Sequence, residues 1–448
     1  MILTTSPRSR KDTSRRRDWA AQSGDELPLF VLGSMIGIRT DAGARLGLTA
    51  TAHPRGNLEF CPSMYVGGIM RSRLPIAIGL QLLLAGCVPF WSFSASRPGV
   101  AAPATFCGID DAMAHSKNAR VLVVHGMGLH DPTYARDFEF AIAKRLDLPL
   151  GSCSIEPRRI ANPDDPDGNY GTIDTCTFNN GDRHLTFYAW NWSPLSKPFK
   201  DRFLRYDFDR PDKMRLWANR RLKAEIIDLS LSDAVLYAGH FKDNMRYGAT
   251  QALCMATAET PKLSGAIVPL ALSDESRSTP PCDVSTTAAT SEDLYIVTHS
   301  LGSMMVFDAL RKDEDLAHRV GSRLKLFAML ANQWPLLELS LQEHSDGGAA
   351  SRKRTSSALG AVVKGSNDRL PIVAFSDPND LLSFRVPDNW AEMVTGDVAS
   401  KISFVNVVTS TTHAAILGIA VNPGTAHTAY WRDKRVLNAL AHGYSCPK

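Results

Sequence analysis

The sequence has no His-Glu-x-x-His segment and no Cys-x-x-Cys pair, so the common zinc-ligand spacings are missing. It has neither G-x-G-x-x-G nor G-x-x-x-x-G-K-[ST], which removes the usual phosphate cradles of nucleotide-binding proteins. No internal repeat is present, which argues against a solenoid or propeller. Apolar runs long enough for repeated membrane crossing are lacking, which excludes a many-pass membrane protein. A usable basic excess is missing too. The net charge of +4 over 448 residues comes from the first 73 positions, beyond which 39 basic residues face 40 acidic ones. That balance excludes the electrostatic footprint of a nucleic-acid-binding protein. With 44% apolar and 21% charged residues the chain is neither disordered nor fibrous, and it has room for a large core.

What is there begins with a processing signal. Met70–Cys87 reads MRSRLPIAIGLQLLLAGC. Arg71 and Arg73 form a positive start, Leu74–Ala85 an apolar stretch too short for a comfortable span, and Ala85-Gly86 a small-residue cleavage site. Leu84-Ala85-Gly86-Cys87 resembles the lipobox of bacterial lipoproteins. The resemblance implies that 70–86 is a signal peptide and that Cys87 is acylated as the first mature residue. Val88, where an Asp would imply inner-membrane retention, implies an outer-membrane anchor facing the periplasm. Residues 1–69 show no sustained helix or strand period. They are expected to be a non-native upstream extension, with translation starting at Met70. Residues 87–106 are expected to be the lipidated Cys and a flexible tether, on the composition of Ser92–Thr105, and 107–448 the folded domain.

Six cysteines follow Cys87, an even number compatible with disulfides in an exported chain. Cys153 with Cys176 and Cys254 with Cys282 are the preferred pairs, because each brackets a loop-rich stretch.

Apolar runs at Ala119–His125, Leu294–Thr298, Leu324–Leu330, Pro371–Phe375 and Ile402–Val408 read as buried strands. Ile173–Phe178 and His184–Trp190 flank Asn179-Asn180-Gly181-Asp182 and predict a hairpin. Helical patterns surround Tyr134–Leu146, Asp201–Met255, Gly302–Lys312 and Tyr430–Ala441. Ala256–Glu292 reads as a surface insertion, and His344–Arg369 as a polar loop. Strands alternating with helices predict an α/β fold in one domain: a mostly parallel sheet covered on both faces.

The most informative stretch is Leu294–Ser303, LYIVTHSLGS. A buried strand stops at Ser300 and a helix follows at once, a turn that strains the Ser backbone and exposes its Oγ at the strand's carboxyl end. Gly302 supplies one small residue that such a turn needs, and Thr298 stands where Gly is usual. This stretch resembles the nucleophile elbow of the α/β-hydrolase superfamily, and Val123–Gly128 (VVHGMG) resembles its oxyanion strand and loop. The resemblance covers roughly Ala119 to the C-terminus, with atypical insertions at about 191–290 and 341–370, the first helical and cap-like. In it Phe203, Tyr206, Phe208, Trp217 and Tyr237 either line an acyl pocket or belong to the core.

The family order is Ser, acid, His. Asp380, a few residues past the strand Pro371–Phe375, fits the acid, with Asp377 as alternative. His427, before the last helix, fits the base, with His413 as alternative; His299 reads as a packing residue. The Met127 and Leu301 amides would form the oxyanion hole. The resemblance implies a serine hydrolase acting on carboxylic esters, lipid esters among them, without a cofactor or metal. Its expected partners are an ester or lipid substrate and a membrane reached through the lipid anchor. A non-catalytic envelope lipoprotein that uses the fold as a binding scaffold is the competing expectation. Asn162–Asn169 (NPDDPDGN) could offer oxygens to calcium but reads better as an exposed turn.

Overall fold

Segments buried along nearly their whole length are stable as strands only when both sheet faces are covered. Asn118–Val124, Asp293–His299, Leu324–Leu330 and Leu370–Ser376 are such segments. In the computed structural model they lie side by side in parallel register. The structure describes residues 93–446 except 166, 209–215, 217–218, 221–222, 260–277, 280–281, 340–348, 365, 367, 389, 391–393, 395–396 and 411–422. The chain divides into two units, Met1–Met70 and Arg71–Lys448, and every described residue belongs to the second. The upstream segment, the signal, Cys87 and His413 therefore lie outside the described residues.

The strands are β1 (Phe93–Arg97), β2 (Val100–Pro103), β3 (Asn118–Val124), β4 (Leu150–Cys153), β5 (Arg158–Ile160), β6 (Thr172–Asn180), β7 (Arg183–Asn191), β8 (Ser278–Thr279), β9 (Asp293–His299), β10 (Leu324–Leu330), β11 (Leu370–Ser376) and β12 (Ile402–Thr409). They form one twelve-stranded sheet in the order β2-β1-β12-β11-β10-β9-β3-β7-β6-β5-β8, with β4 on β6. The class is α/β, but the sheet is mixed. The run from β12 to β7 is parallel throughout, and the short β5–β8 pair at the edge is parallel too. The expected hairpin joins β6 to β7 through Gly181-Asp182 and turns that edge antiparallel. At the other edge β1 and β2 pair antiparallel with β12 and with each other.

That second edge corrects the tether reading of Ser92–Thr105: residues 93–103 are a hairpin in the sheet. Its small side chains carry little hydrophobic signal, yet Ala95 is buried and the Pro98-Gly99 turn reverses the chain.

Helices cover both faces. They are α1 (Ile109–Ser116), α2 (Arg136–Arg145), α3 (Ser193–Phe208), a π-helical segment (Lys223–Leu231), α4 (Ser232–Ala238), α5 (Lys242–Thr257), α6 (Leu301–Lys312), α7 (Glu314–Gly321), α8 (Trp334–Glu338), α9 (Ala349–Lys364), α10 (Asp397–Lys401), α11 (Pro423–Thr428) and α12 (Lys434–His442). Alternation along the strands makes two cores. Leu122, Val124, Ile296 and Met329 pack with α5, α6, α7 and α9, while Val121, Val123, Val297 and Ala328 pack with α1, α2 and α12. Two expectations change here. His344–Arg369 is not simply a loop, because α9 occupies much of it and buries Ala358, Leu359, Val362 and Val363. In the expected cap, α5 instead belongs to the helical layer, with Ala249, Ala252 and Leu253 in the core. Of the aromatics considered for an acyl pocket, Tyr237 is buried and Phe203 exposed; Trp217 and the Tyr206 and Phe208 side chains lie outside the described residues.

Three disulfides are present: the two expected from spacing, Cys153–Cys176 and Cys254–Cys282, and Cys107–Cys446. Among the described residues no helix is long and apolar enough to cross a membrane.

Candidate active site

Strand β9 ends at His299 and α6 begins at Leu301, so Ser300 must turn the chain within one residue. It does so at φ 54° and ψ −127°. A non-glycine residue there costs on the order of 1–3 kcal/mol and persists only where its surroundings fix it. The Ser300 amide donates to Leu330 O at 2.8 Å, and its carbonyl accepts from Ser303 N at 3.2 Å. Thr298, in place of the usual Gly, helps to fasten the turn. Its Oγ1 donates to Ala328 O at 3.3 Å and lies 2.9 Å from Ser303 Oγ.

His427 projects from α11. Its Nε2 is 3.1 Å from Ser300 Oγ, and its Nδ1 is 2.9 Å from both oxygens of Asp380. A carboxylate can only accept, so Nδ1 carries the proton and Nε2 is left to accept from the Ser300 hydroxyl. Asp380 also accepts from the Leu382 amide at 3.0 Å and the Tyr430 hydroxyl at 3.1 Å. Asp377 is engaged within its own turn, where its Oδ1 accepts from the Asn379 amide at 2.8 Å. The geometry thus brings Asp380, not Asp377, to His427. His299 acts as an adjacent support, since its Nε2 donates to the His427 carbonyl at 2.7 Å. Burial holds the His299 pKa well below its ordinary value and keeps the ring neutral.

The loop after β3 closes the site. At Gly126 a Cβ would stand 2.5 Å from the Ser300 Cβ, so only glycine lets this loop lie against the serine. At Gly128 the demand is conformational, with φ at +107°. The Met127 amide lies between these glycines, and Leu301 is the first residue of α6, whose amide has no intrahelical acceptor. Neither amide meets a hydrogen-bond acceptor among the described residues. His125 is a fully buried brace. Its Nδ1 donates to Gly126 O at 2.7 Å, and its Nε2 accepts the Trp192 amide at 3.0 Å. Trp192 stacks on it at 4.8 Å, and burial drives its pKa well below the ordinary value.

Sequence reasoning named Ser300, Asp380, His427, Met127 and Leu301; the first three side chains form one hydrogen-bonded chain, while Leu301 adjoins Ser300 and Met127 lies in the loop whose Gly126 packs against it. It did not identify Tyr430 or Trp192 as supports. The only signals were an aromatic three residues past His427 and a Trp directly after the last residue of β7. The groups of possible metal ligands among the described residues are disulfide-bonded cysteines beside Asp111 or Glu139, and bonded sulfurs do not offer a thiolate. Asn162–Asn169 contains a turn capped by Asn162, as expected for that composition. Compared with protein-family models, curated proteins and solved structures, the chain matches none.

Proposed function

We propose that the protein is a serine hydrolase of the α/β-hydrolase type, cleaving carboxylic esters through Ser300, His427 and Asp380. The observation that carries this reading is the hydrogen-bonded chain from Asp380 through His427 to a strained Ser300 at a strand–helix turn. Ser300 Oγ attacks the ester carbonyl carbon and passes its proton to His427 Nε2. The carbonyl oxygen becomes an oxyanion held by the Met127 and Leu301 amides, each worth on the order of 10²–10³ in rate. Asp380 stabilises the imidazolium. Collapse expels the alcohol, which takes the proton from His427. Water then gives a proton to His427 and adds to the acyl carbon, and a second collapse frees Ser300 and the acid.

Exposed apolar side chains support a water-insoluble ester as substrate. Leu129, Leu336 and Leu381 follow the carboxyl ends of β3, β10 and β11, the sheet edge that bears Ser300, and Phe199, Phe203 and Val235 lie in the helical segment after β7. On the lipobox resemblance, the enzyme is placed on the outer membrane of a bacterial envelope, anchored through Cys87 and facing the periplasm. Ser300 itself is buried, so attack requires the covering chain to move. That burial is the observation favouring the second reading, a non-catalytic binding scaffold.

Labelling with a fluorophosphonate probe, beside Ser300→Ala, tests the choice. Labelling that disappears in the variant supports the hydrolase. A folded wild type that stays unlabelled favours the scaffold, and labelling that survives the substitution means a different serine.

A further inference from the structure

Two charged side chains outside that chemistry are buried beside it. Lys200 on α3 and Asp233 on α4 both have 0% side-chain exposure, and Lys200 Nζ lies 2.5 Å from Asp233 Oδ2. Burial opposes both charges, pushing the Asp233 pKa up and the Lys200 pKa down. Such a pair is often no more stabilising than two apolar side chains of the same size. Its geometry suggests a role other than stability. The same Asp233 Oδ2 accepts the Gly128 amide at 2.8 Å. Gly128 directly follows Met127, and its positive φ belongs to a backbone with few steric restraints of its own. The far side of the loop is tied by the His130 amide to Ser193 Oγ at 2.8 Å and by the His130 ring to Met127 O at 3.2 Å. Lys200 also stands 5.9 Å from the Trp192 ring centroid, the ring that stacks on His125.

We infer that Asp233 is a positioning residue: balanced by Lys200, it anchors the Gly128 amide and so aims the Met127 amide at the substrate oxyanion. The inference rests on the hydrolase reading and deepens it, since it makes the helical segment after β7 a support of the oxyanion hole. Asp233 touches neither substrate nor the reacting atoms. What matters is an oxygen acceptor at this place, and the negative charge serves to balance Lys200.

The test compares steady-state hydrolysis of a soluble p-nitrophenyl ester by the full chain and two double variants. Asp233→Leu with Lys200→Met removes the acceptor and leaves no lone buried charge. Its kcat is expected to fall about 10- to 100-fold, less than or near the loss of a whole oxyanion donor. Its KM should stay within about twofold and its Tm near wild type. Asp233→Asn with Lys200→Met restores a carbonyl acceptor and should recover kcat to within about threefold of wild type. If the leucine variant does not fold, Asp233→Ser with Lys200→Met, whose hydroxyl is too short to reach Gly128, takes its place with the same expectation. Wild-type kcat in the leucine or serine variant overturns the inference alone, as does an equal loss in the asparagine variant. A wild type without Ser300-dependent hydrolysis overturns the hydrolase reading, and this inference with it.

Discussion

Tyr430 donates its hydroxyl proton to Asp380 Oδ2, an oxygen that also faces His427 Nδ1, and the same hydroxyl accepts the Asp377 amide at 2.7 Å. One phenol thus ties the turn that carries Asp380 to the segment that carries His427. Tyr430→Phe should lower kcat about 10-fold with KM little changed, because the carboxylate loses an orienting donor. It should also cost about 1–3 kcal/mol of stability, since the Asp377 amide is left buried without an acceptor. Ester kinetics beside urea unfolding separate the two effects.

The two candidate acids should respond differently to the same chemistry. Asp380→Asn is expected to reduce kcat by about 10³-fold or more, because an amide neither stabilises the imidazolium nor enforces the tautomer. Asp377→Asn keeps an oxygen for the Asn379 amide and should stay within about threefold of wild type. Similar losses in both would contradict the assignment.

Gly126→Ala places a methyl group where the Ser300 Cβ and His299 Nδ1 already stand, 2.5 and 2.6 Å from the new carbon. Backbone must shift on one side or the other. Esterase activity is expected to drop by about 100-fold or more, with probe labelling of Ser300 lost in parallel.

Stability should depend on pH through a residue far from the serine in sequence. Glu139 on α2 is fully buried, with neither carboxyl oxygen paired among the described residues; burial pushes its pKa up to about 8, Asp174 adding to the rise and Arg136 opposing it. The folded chain therefore keeps a proton that the unfolded chain releases near the ordinary carboxyl value. The stabilisation is complete below that value and declines until the pH has passed about 8. Glu139→Gln should flatten this decline and leave the variant more stable than wild type at pH 8.5, by an amount on the order of a few kcal/mol. Thermal unfolding at pH 5, 7 and 8.5 reads it directly.

The readable part of the molecule was the part governed by local pattern. Leu324–Leu330 is a strand with the bounds its apolar run predicts, and the Ser300 turn follows from an apolar strand meeting a small-residue helix start. Asp380 and His427 stood out because the first lies just beyond β11 and the second in the connection from β12 to the last helix, on the side where α/β folds collect their sites. Pattern failed where the signal was weak or long-range. Phe93–Pro103 has too few large apolar residues to declare two strands, and the apolar residues that α9 buries, Ala358, Leu359, Val362 and Val363, sit late in a polar stretch. Nothing in the sequence singles out Lys200 and Asp233, because such residues are seldom buried and nothing local links residues 33 positions apart. The Cys107–Cys446 bond was equally hidden, since a sequence separation of 339 leaves no bracketed loop to recognise.

That bond, with Phe106 and Tyr444 paired beside it, makes residues 107–446 a covalent ring rather than a line. A ring has to be cut twice before it yields two pieces. A protease that nicks the backbone once, between Cys176 and Cys254 or between Cys282 and Cys446, would leave a single molecule whose damage shows only after a thiol is added. The same closure means that the ring could be opened elsewhere: a chain rearranged to start and stop at another surface turn would contain every contact described for Ser300, His427 and their supports.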